Sequence, residues 1–163
     1  RKPIRLQPMA TLKQALSLTK KIETSKIESV LFGIIKQLQK EIIQKNQDKL
    51  GKGKDVYQKT IGLYSKATEA ITAHDYFAGK RKDIKKAGTP YTAQDTGDFF
   101  KGFYLEVQGD AFKIFSKAPK THEILDTWGT EAIFGLSDKD LREIVINGIL
   151  PFLLKNIRNT LQL

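Results

Sequence analysis

The chain has 163 residues, of which 40% are hydrophobic and 28% charged, so it holds enough apolar material for one packed domain and wholesale disorder is excluded. No apolar run reaches the roughly 18 to 20 residues that cross a bilayer, and we expect no membrane as a partner. The sequence contains no cysteine, which excludes disulfides, thiolate metal sites and cysteine nucleophiles. Composition alone therefore predicts a globular domain and assigns no function.

The formal net charge of +10 is concentrated in the first third of the chain. Residues 1–60 hold 14 Lys and Arg against 5 Asp and Glu, whereas residues 61–163 hold 14 against 13. A basic surface of this kind suits an anionic partner, but charge alone supports only salt-dependent, non-specific binding to nucleic acid.

Residues 1–10 are set apart as an N-terminal extension or a region with an ambiguous start, because the only methionine is Met9. They lack the apolar centre of about 7 to 15 residues that a secretory signal requires. Residues 11–163 are expected to form a single domain.

Two helices are predicted in the basic third. The first begins at Thr11, and Ser25 is expected to cap a second, stronger helix. Apolar residues recur there every three or four positions between Ile27 and Ile43, which is typical of a helix with one buried face. The helix should end near residues 51–53, where glycines relieve the C-terminal turn. Its other side, interpreted as a solvated face or a face directed at a polyanion, carries Lys36, Lys40, Lys45 and Lys49.

The stretch that follows is the least regular part of the sequence. A short helix is expected over residues 64–71, and residues 78–97 mix Gly, Thr and Pro with basic side chains. We expect them to form a long exposed loop, and loops of such length are usually functional or are ordered by a partner. The basic residues of this loop are Lys80, Arg81, Lys82, Lys85 and Lys86.

A period of two begins at Asp98 and predicts a β-hairpin over residues 99–116 with an aromatic face. A short helix over residues 121–128 and a C-terminal helix opened by Ser137 follow. Pro151 lies inside the last helix, where we expect a kink or break. The predicted fold class is α+β, with a small antiparallel β-sheet packed against N- and C-terminal helices and a long loop near residues 78–97.

Few residues fall into a catalytic pattern. Neither histidine belongs to a metal-binding spacing, and no phosphate loop is present. Asp95 and Asp98 precede a strand that carries Glu106, which resembles a two-carboxylate magnesium site but has Gln108 where a nuclease would carry lysine. We therefore expect no enzyme activity, cofactor or metal. The alternative is a small basic DNA-binding protein or a metal-dependent nuclease.

The segment over residues 90–104 resembles an element found in tail-completion and neck proteins of tailed bacteriophages, in which Thr-Gly opens an aromatic strand after a long loop. Those families continue with a return strand, a Gly-Thr element and a helix opened by Pro-Phe-Leu. This sequence has similar elements in the same order, and an upstream stretch of the family is similar to residues 53–68. The matching downstream elements are Phe112–Ser116, Trp128-Gly129-Thr130 and Pro151-Phe152-Leu153.

The resemblance implies a non-enzymatic virion structural protein, a subunit of a neck or tail-completion ring (a head–tail connector) that is assembled in the host cytoplasm. Such a subunit forms a homo-oligomer and binds other neck, portal or tail proteins, with non-specific contact to DNA as a further expectation. The residues expected at the contact with neighbouring subunits or partners are Lys80, Arg81, Lys82, Lys85, Lys86, Thr96 and Gly97.

Overall fold

The computed structural model describes residues 24–94, 97–108, 111–128 and 130–161. The first predicted helix, the hairpin turn at residues 109–110 and the predicted interface residue Thr96 lie outside these ranges.

The fold belongs to the predicted α+β class, and the described residues combine helices with one antiparallel pair of strands. A π-helical segment lies between the last two α-helices. In chain order the elements are α1 (Thr24–Gln37), α2 (Gln39–Gly51), α3 (Lys66–Phe77), α4 (Asp98–Lys101), β1 (Phe103–Gln108), β2 (Ala111–Ser116), α5 (Thr121–Trp128), α6 (Asp138–Glu143), the π-helical segment (Ile144–Ile149) and α7 (Leu150–Leu161).

The second predicted helix is interrupted at Leu38, which separates α1 from α2. The hydrogen bonds continue through the interruption, since Leu38 donates to the carbonyl of Ile34 and accepts from the N–H of Ile42. The helix ends at Gly51, as predicted. The expected cap at Ser25 is wrong, because that residue already lies inside α1.

The helix predicted over residues 64–71 is longer than expected and spans α3. The Ser65 hydroxyl accepts a hydrogen bond from the N–H of Thr68 at 3.1 Å, which satisfies one of the free donors at the helix N-terminus.

Residues 78–94 contain no helix or strand, as predicted for a loop, and about half of them are exposed, but backbone contacts tie the segment to the domain. Backbone hydrogen bonds join this segment to the chain before α3: Tyr64 donates to Thr89, Gly88 donates to Tyr64, and Tyr91 donates to Gly62. These bonds satisfy backbone groups that an isolated loop would leave to water. The segment is therefore an anchored part of the fold.

The predicted hairpin is present, with Phe103 paired to Ser116 and Leu105 to Ile114 in antiparallel register. Its first strand begins at Phe103, whereas the sequence pattern placed the start near Phe99. Gly97 has a φ of +82°, a conformation that favours glycine, and it leads into α4 instead of a strand.

The core has an aliphatic part between the helices and an aromatic part beside the hairpin. In the aromatic part, the ring centroid of Phe99 lies 5.0 Å from that of Phe103 in an edge-to-face contact and 6.3 Å from that of Trp128. Phe134 packs against the same two phenylalanines. The fully buried aliphatic residues are Ile42, Leu50, Ile133 and Ile144.

The sequence predicted a kink or break at Pro151. The C-terminal helical run instead continues from α6 to α7, and Pro151 lies inside α7. The irregularity is the π-helical segment immediately before the proline, in which the N–H of Leu150 donates to the carbonyl of Val145. Proline supplies no N–H to the carbonyl one turn earlier, and a wider turn at that point accommodates the missing donor.

Candidate interaction surfaces

The basic residues predicted at the subunit contact divide into two groups. Lys80, Lys82 and Lys86 are exposed, whereas Lys85 is only 9% exposed and Arg81 is half-buried. The two inward side chains converge on Asp83, with the Lys85 ammonium 2.8 Å and the Arg81 guanidinium 3.1 Å from its carboxylate oxygens. The hydrogen bond from Lys85, followed by that from Arg81, holds the pKa of Asp83 below its ordinary value.

Lys85 fastens the segment to α3. Its backbone N–H donates to the Thr72 hydroxyl at 3.0 Å, and its ammonium group donates to the Gln94 carbonyl. Two residues later, the N–H of Ala87 donates to the Glu69 carboxylate at 2.8 Å. Lys85 therefore holds the segment in place, and the exposed lysines remain the ones placed to meet a partner.

The C-terminal end of α3 leads directly into this basic segment and exposes two aromatic rings. Phe77 is 81% exposed and Tyr76 43% exposed, and the two rings are 5.5 Å apart. The backbone N–H of Lys80 donates to the carbonyl of Asp75, which folds the start of the segment back on the helix end. We name Tyr76, Phe77, Lys80 and Lys82 the α3-end patch. A side chain as exposed as Phe77 is typical of an interaction surface when it lies among other apolar groups.

The lysines predicted to form one basic helical face do not share an environment. Lys36 and Lys40 are exposed. Lys45 pairs with Glu143 at 3.1 Å, and this hydrogen bond raises the pKa of Lys45. Lys49 is buried at 5% exposure, and its ammonium donates to the carbonyls of Ile133 and Gly135. Two of the four lysines therefore bind other parts of the domain.

Sequence reasoning did not identify the buried polar contact between α2 and residues 130–137. The fully buried Asn46 donates to the Ile133 carbonyl at 3.1 Å and accepts from the N–H of Gly135 at 2.6 Å. Burial lowers the pKa of Lys49 to about 8, although the nearby carboxylates of Asp55 and Asp140 oppose the shift. Asn46 and Lys49 together satisfy backbone groups that burial would otherwise leave unpaired.

The C-terminal run exposes a row of aliphatic side chains. Ile144 and Ile149 are buried in the core, whereas the outward-facing members are 40% to 59% exposed. Four of them, Leu141, Val145, Leu150 and Leu154, are spaced by four, five and four residues, and Ile146 follows Val145 directly. The step of five falls on the π-helical segment, where hydrogen bonds also span five residues. We define the C-terminal apolar stripe as Leu141, Val145, Ile146, Leu150 and Leu154.

Of the three carboxylates considered for a nuclease site, the structure describes Asp98 and Glu106. Asp98 lies in α4 and pairs with Lys101 at 3.4 Å, while Glu106 is exposed on β1 opposite Lys113. Asp95 lies outside the described residues. Within the described ranges, no group of three or more His, Asp or Glu side chains could hold a metal ion.

Comparisons with known proteins give no relative: no protein-family model matches the chain, and neither the curated proteins nor the solved structures contain a significant match. In the part of the chain that the structure describes, no helix combines the length and hydrophobicity required to cross a membrane. The resemblance to bacteriophage neck proteins stays a prediction.

Proposed function

We propose that this chain is a non-enzymatic structural protein of a phage virion, a subunit of a neck or tail-completion ring. It acts by associating with copies of itself and with neighbouring neck, portal or tail proteins. The observation that supports assembly is the α3-end patch, where an aromatic ring 81% exposed lies next to exposed lysines. The sequence motifs at residues 90–104 support the particular class of virion protein.

In the proposed contact, the segment over residues 78–94 (the anchored segment) holds the exposed side chains of the α3-end patch in fixed positions. The bonds of Lys85 and Glu69 fix the segment before a partner binds, so little conformational entropy is lost on association. The exposed ring of Phe77 supplies apolar contact area, and Lys80 and Lys82 steer an acidic surface towards it. A patch on one subunit that meets a different surface on the next is a head-to-tail interface, which closes into a ring at a suitable rotation.

The exposed lysines also suit phosphate groups, which is why DNA binding remains the second candidate. The two functions differ in their dependence on salt. A protein held on DNA by lysines releases counterions and loses affinity steeply as salt rises, whereas an aromatic contact between subunits is much less sensitive.

Light scattering of the full chain tests the proposal. We expect an assembly larger than a dimer that keeps its mass when a DNA oligonucleotide is added in moderate salt. Phe77→Asp should reduce that mass, because a carboxylate would be buried in the contact. Tyr57→Asp is the matched control, since Tyr57 is 72% exposed on a different part of the chain. A chain no larger than a dimer, whose mass rises with DNA at low salt and falls back at moderate salt, would favour the DNA-binding alternative.

A further inference from the structure

The C-terminal apolar stripe has opposite charges at its two ends. Asp138 lies three residues before Leu141, and Arg158 lies four residues after Leu154. Residues three or four apart are neighbours on a helix surface, so each charge lies beside one end of the stripe. Both side chains are exposed. The C-terminal apolar stripe therefore has a carboxylate beside its first residue and a guanidinium beside its last.

Four members of the stripe, Leu141, Val145, Leu150 and Leu154, have the same spacing when read in either direction. When a second copy is laid antiparallel, Leu141 faces Leu154 and Val145 faces Leu150, because the single step of five residues lies at the centre. The same alignment places Asp138 of one copy against Arg158 of the other, twice in each pair. Antiparallel helices also set each positive N-terminal end beside a negative C-terminal end.

We propose that the C-terminal apolar stripe binds the same stripe of a second copy of this chain, antiparallel and about a two-fold axis. A self-complementary surface of this kind forms a closed pair. The inner side of the same helical run is occupied within the subunit, where Leu38 packs against Gly148, so the outer stripe can pair without unfolding the domain. The pair uses a surface separate from the α3-end patch, and the two proposals therefore fail independently.

The mass of the full chain measured by light scattering tests the pairing. Leu150→Asp should halve the mass of the wild-type assembly, whereas Tyr57→Asp should leave it unchanged. Phe77→Asp removes the proposed ring contact and should leave a dimer. A wild-type chain that is monomeric throughout, or an unchanged mass for Leu150→Asp, would overturn the pairing. If Leu150→Asp halves the mass while Phe77→Asp has no effect, the pairing stands and the ring contact is refuted.

A charge swap tests the antiparallel register. In the Phe77→Asp background, adding Asp138→Arg or Arg158→Asp should weaken the dimer about tenfold, because each creates two like-charge contacts in every pair. Combining both substitutions should restore the original affinity. Asp138→Arg places a positive charge near a helix N-terminus and Arg158→Asp places a negative charge near a helix C-terminus, and both are unfavourable there. If the substitutions acted only by destabilising the helix, the variant that combines them would therefore form the weakest dimer. A combined variant that binds no better than the single ones would refute the register.

Discussion

Replacing Lys49 with methionine removes a buried ammonium group from the contact between α2 and residues 130–137. In the native chain this ammonium lies 3.2 Å from the Ile133 carbonyl and 3.0 Å from the Gly135 carbonyl. Burial disfavours the charged form and lowers the pKa from its ordinary value of 10.5 to about 8. Methionine has a similar length and no charge, so the variant separates the effect of the charge from that of packing.

The lowered pKa makes the stability of the protein depend on pH in a known direction. Between pH 8 and 10.5 the unfolded chain binds more protons at Lys49 than the folded chain does, so the free energy of unfolding rises with pH in this window. From pH 7 to pH 10 the contribution of Lys49 is roughly 2–3 kcal/mol. The methionine variant lacks this contribution.

Urea denaturation at both pH values measures the effect. The free energy of unfolding of the native chain minus that of Lys49→Met should be greater at pH 10 than at pH 7 by roughly 2–3 kcal/mol. Lys40→Met serves as the control, because Lys40 is exposed and its difference from the native chain should be the same at both pH values. Equal differences for Lys49→Met at pH 7 and pH 10 would refute the argument that burial of the ammonium perturbs its ionisation.

Two further substitutions test the packing of the anchored segment and the buried polar contact. Gly62→Ala should lower the free energy of unfolding by about 1–3 kcal/mol, because a Cβ there would lie 2.4 Å from the Tyr91 ring. The control Gly33→Ala lies in open space on α1 and should raise the free energy of unfolding by about 0.5–1 kcal/mol. A destabilisation of equal size at both sites would contradict this account. Asn46→Leu should cost about 1–3 kcal/mol in urea denaturation, because it leaves the Gly135 N–H without its acceptor while the Ile133 carbonyl keeps the Lys49 ammonium as a donor. A near-neutral result would contradict this account.

Local patterns predicted the parts of the fold that depend on neighbours in sequence. The hairpin alternation, the helix over residues 121–128 and the Ser137 cap were predicted because each is decided within a few residues. The burial of Lys49 was not predicted, since its partners lie 84 and 86 residues further along the chain. A lysine in a helical pattern is ordinarily read as a solvated side chain.

The candidate surfaces were predicted less completely than the fold. The basic cluster was identified by composition, but its division depends on Asp83 and the Gln94 carbonyl, which the spacing of charges does not reveal. The sequence pattern predicts a helix after Ser137 but does not show that Leu141 and Val145 lie at its exposed side. The π-helical segment begins at Ile144 and changes the helical period from there on, which residue spacing alone does not reveal.

The stacking of Tyr91 on Trp128 gives the protein an internal optical reporter. The rings are 5.9 Å apart and 11° from parallel, and Trp128 is the only tryptophan in the sequence. Its indole therefore senses whether the anchored segment is seated on the domain. A partner that lifts the segment would expose the indole to water and shift its emission to longer wavelength, whereas a partner that binds the outward lysines alone would leave the spectrum unchanged. Fluorescence can thus distinguish docking onto a fixed surface from docking that remodels it.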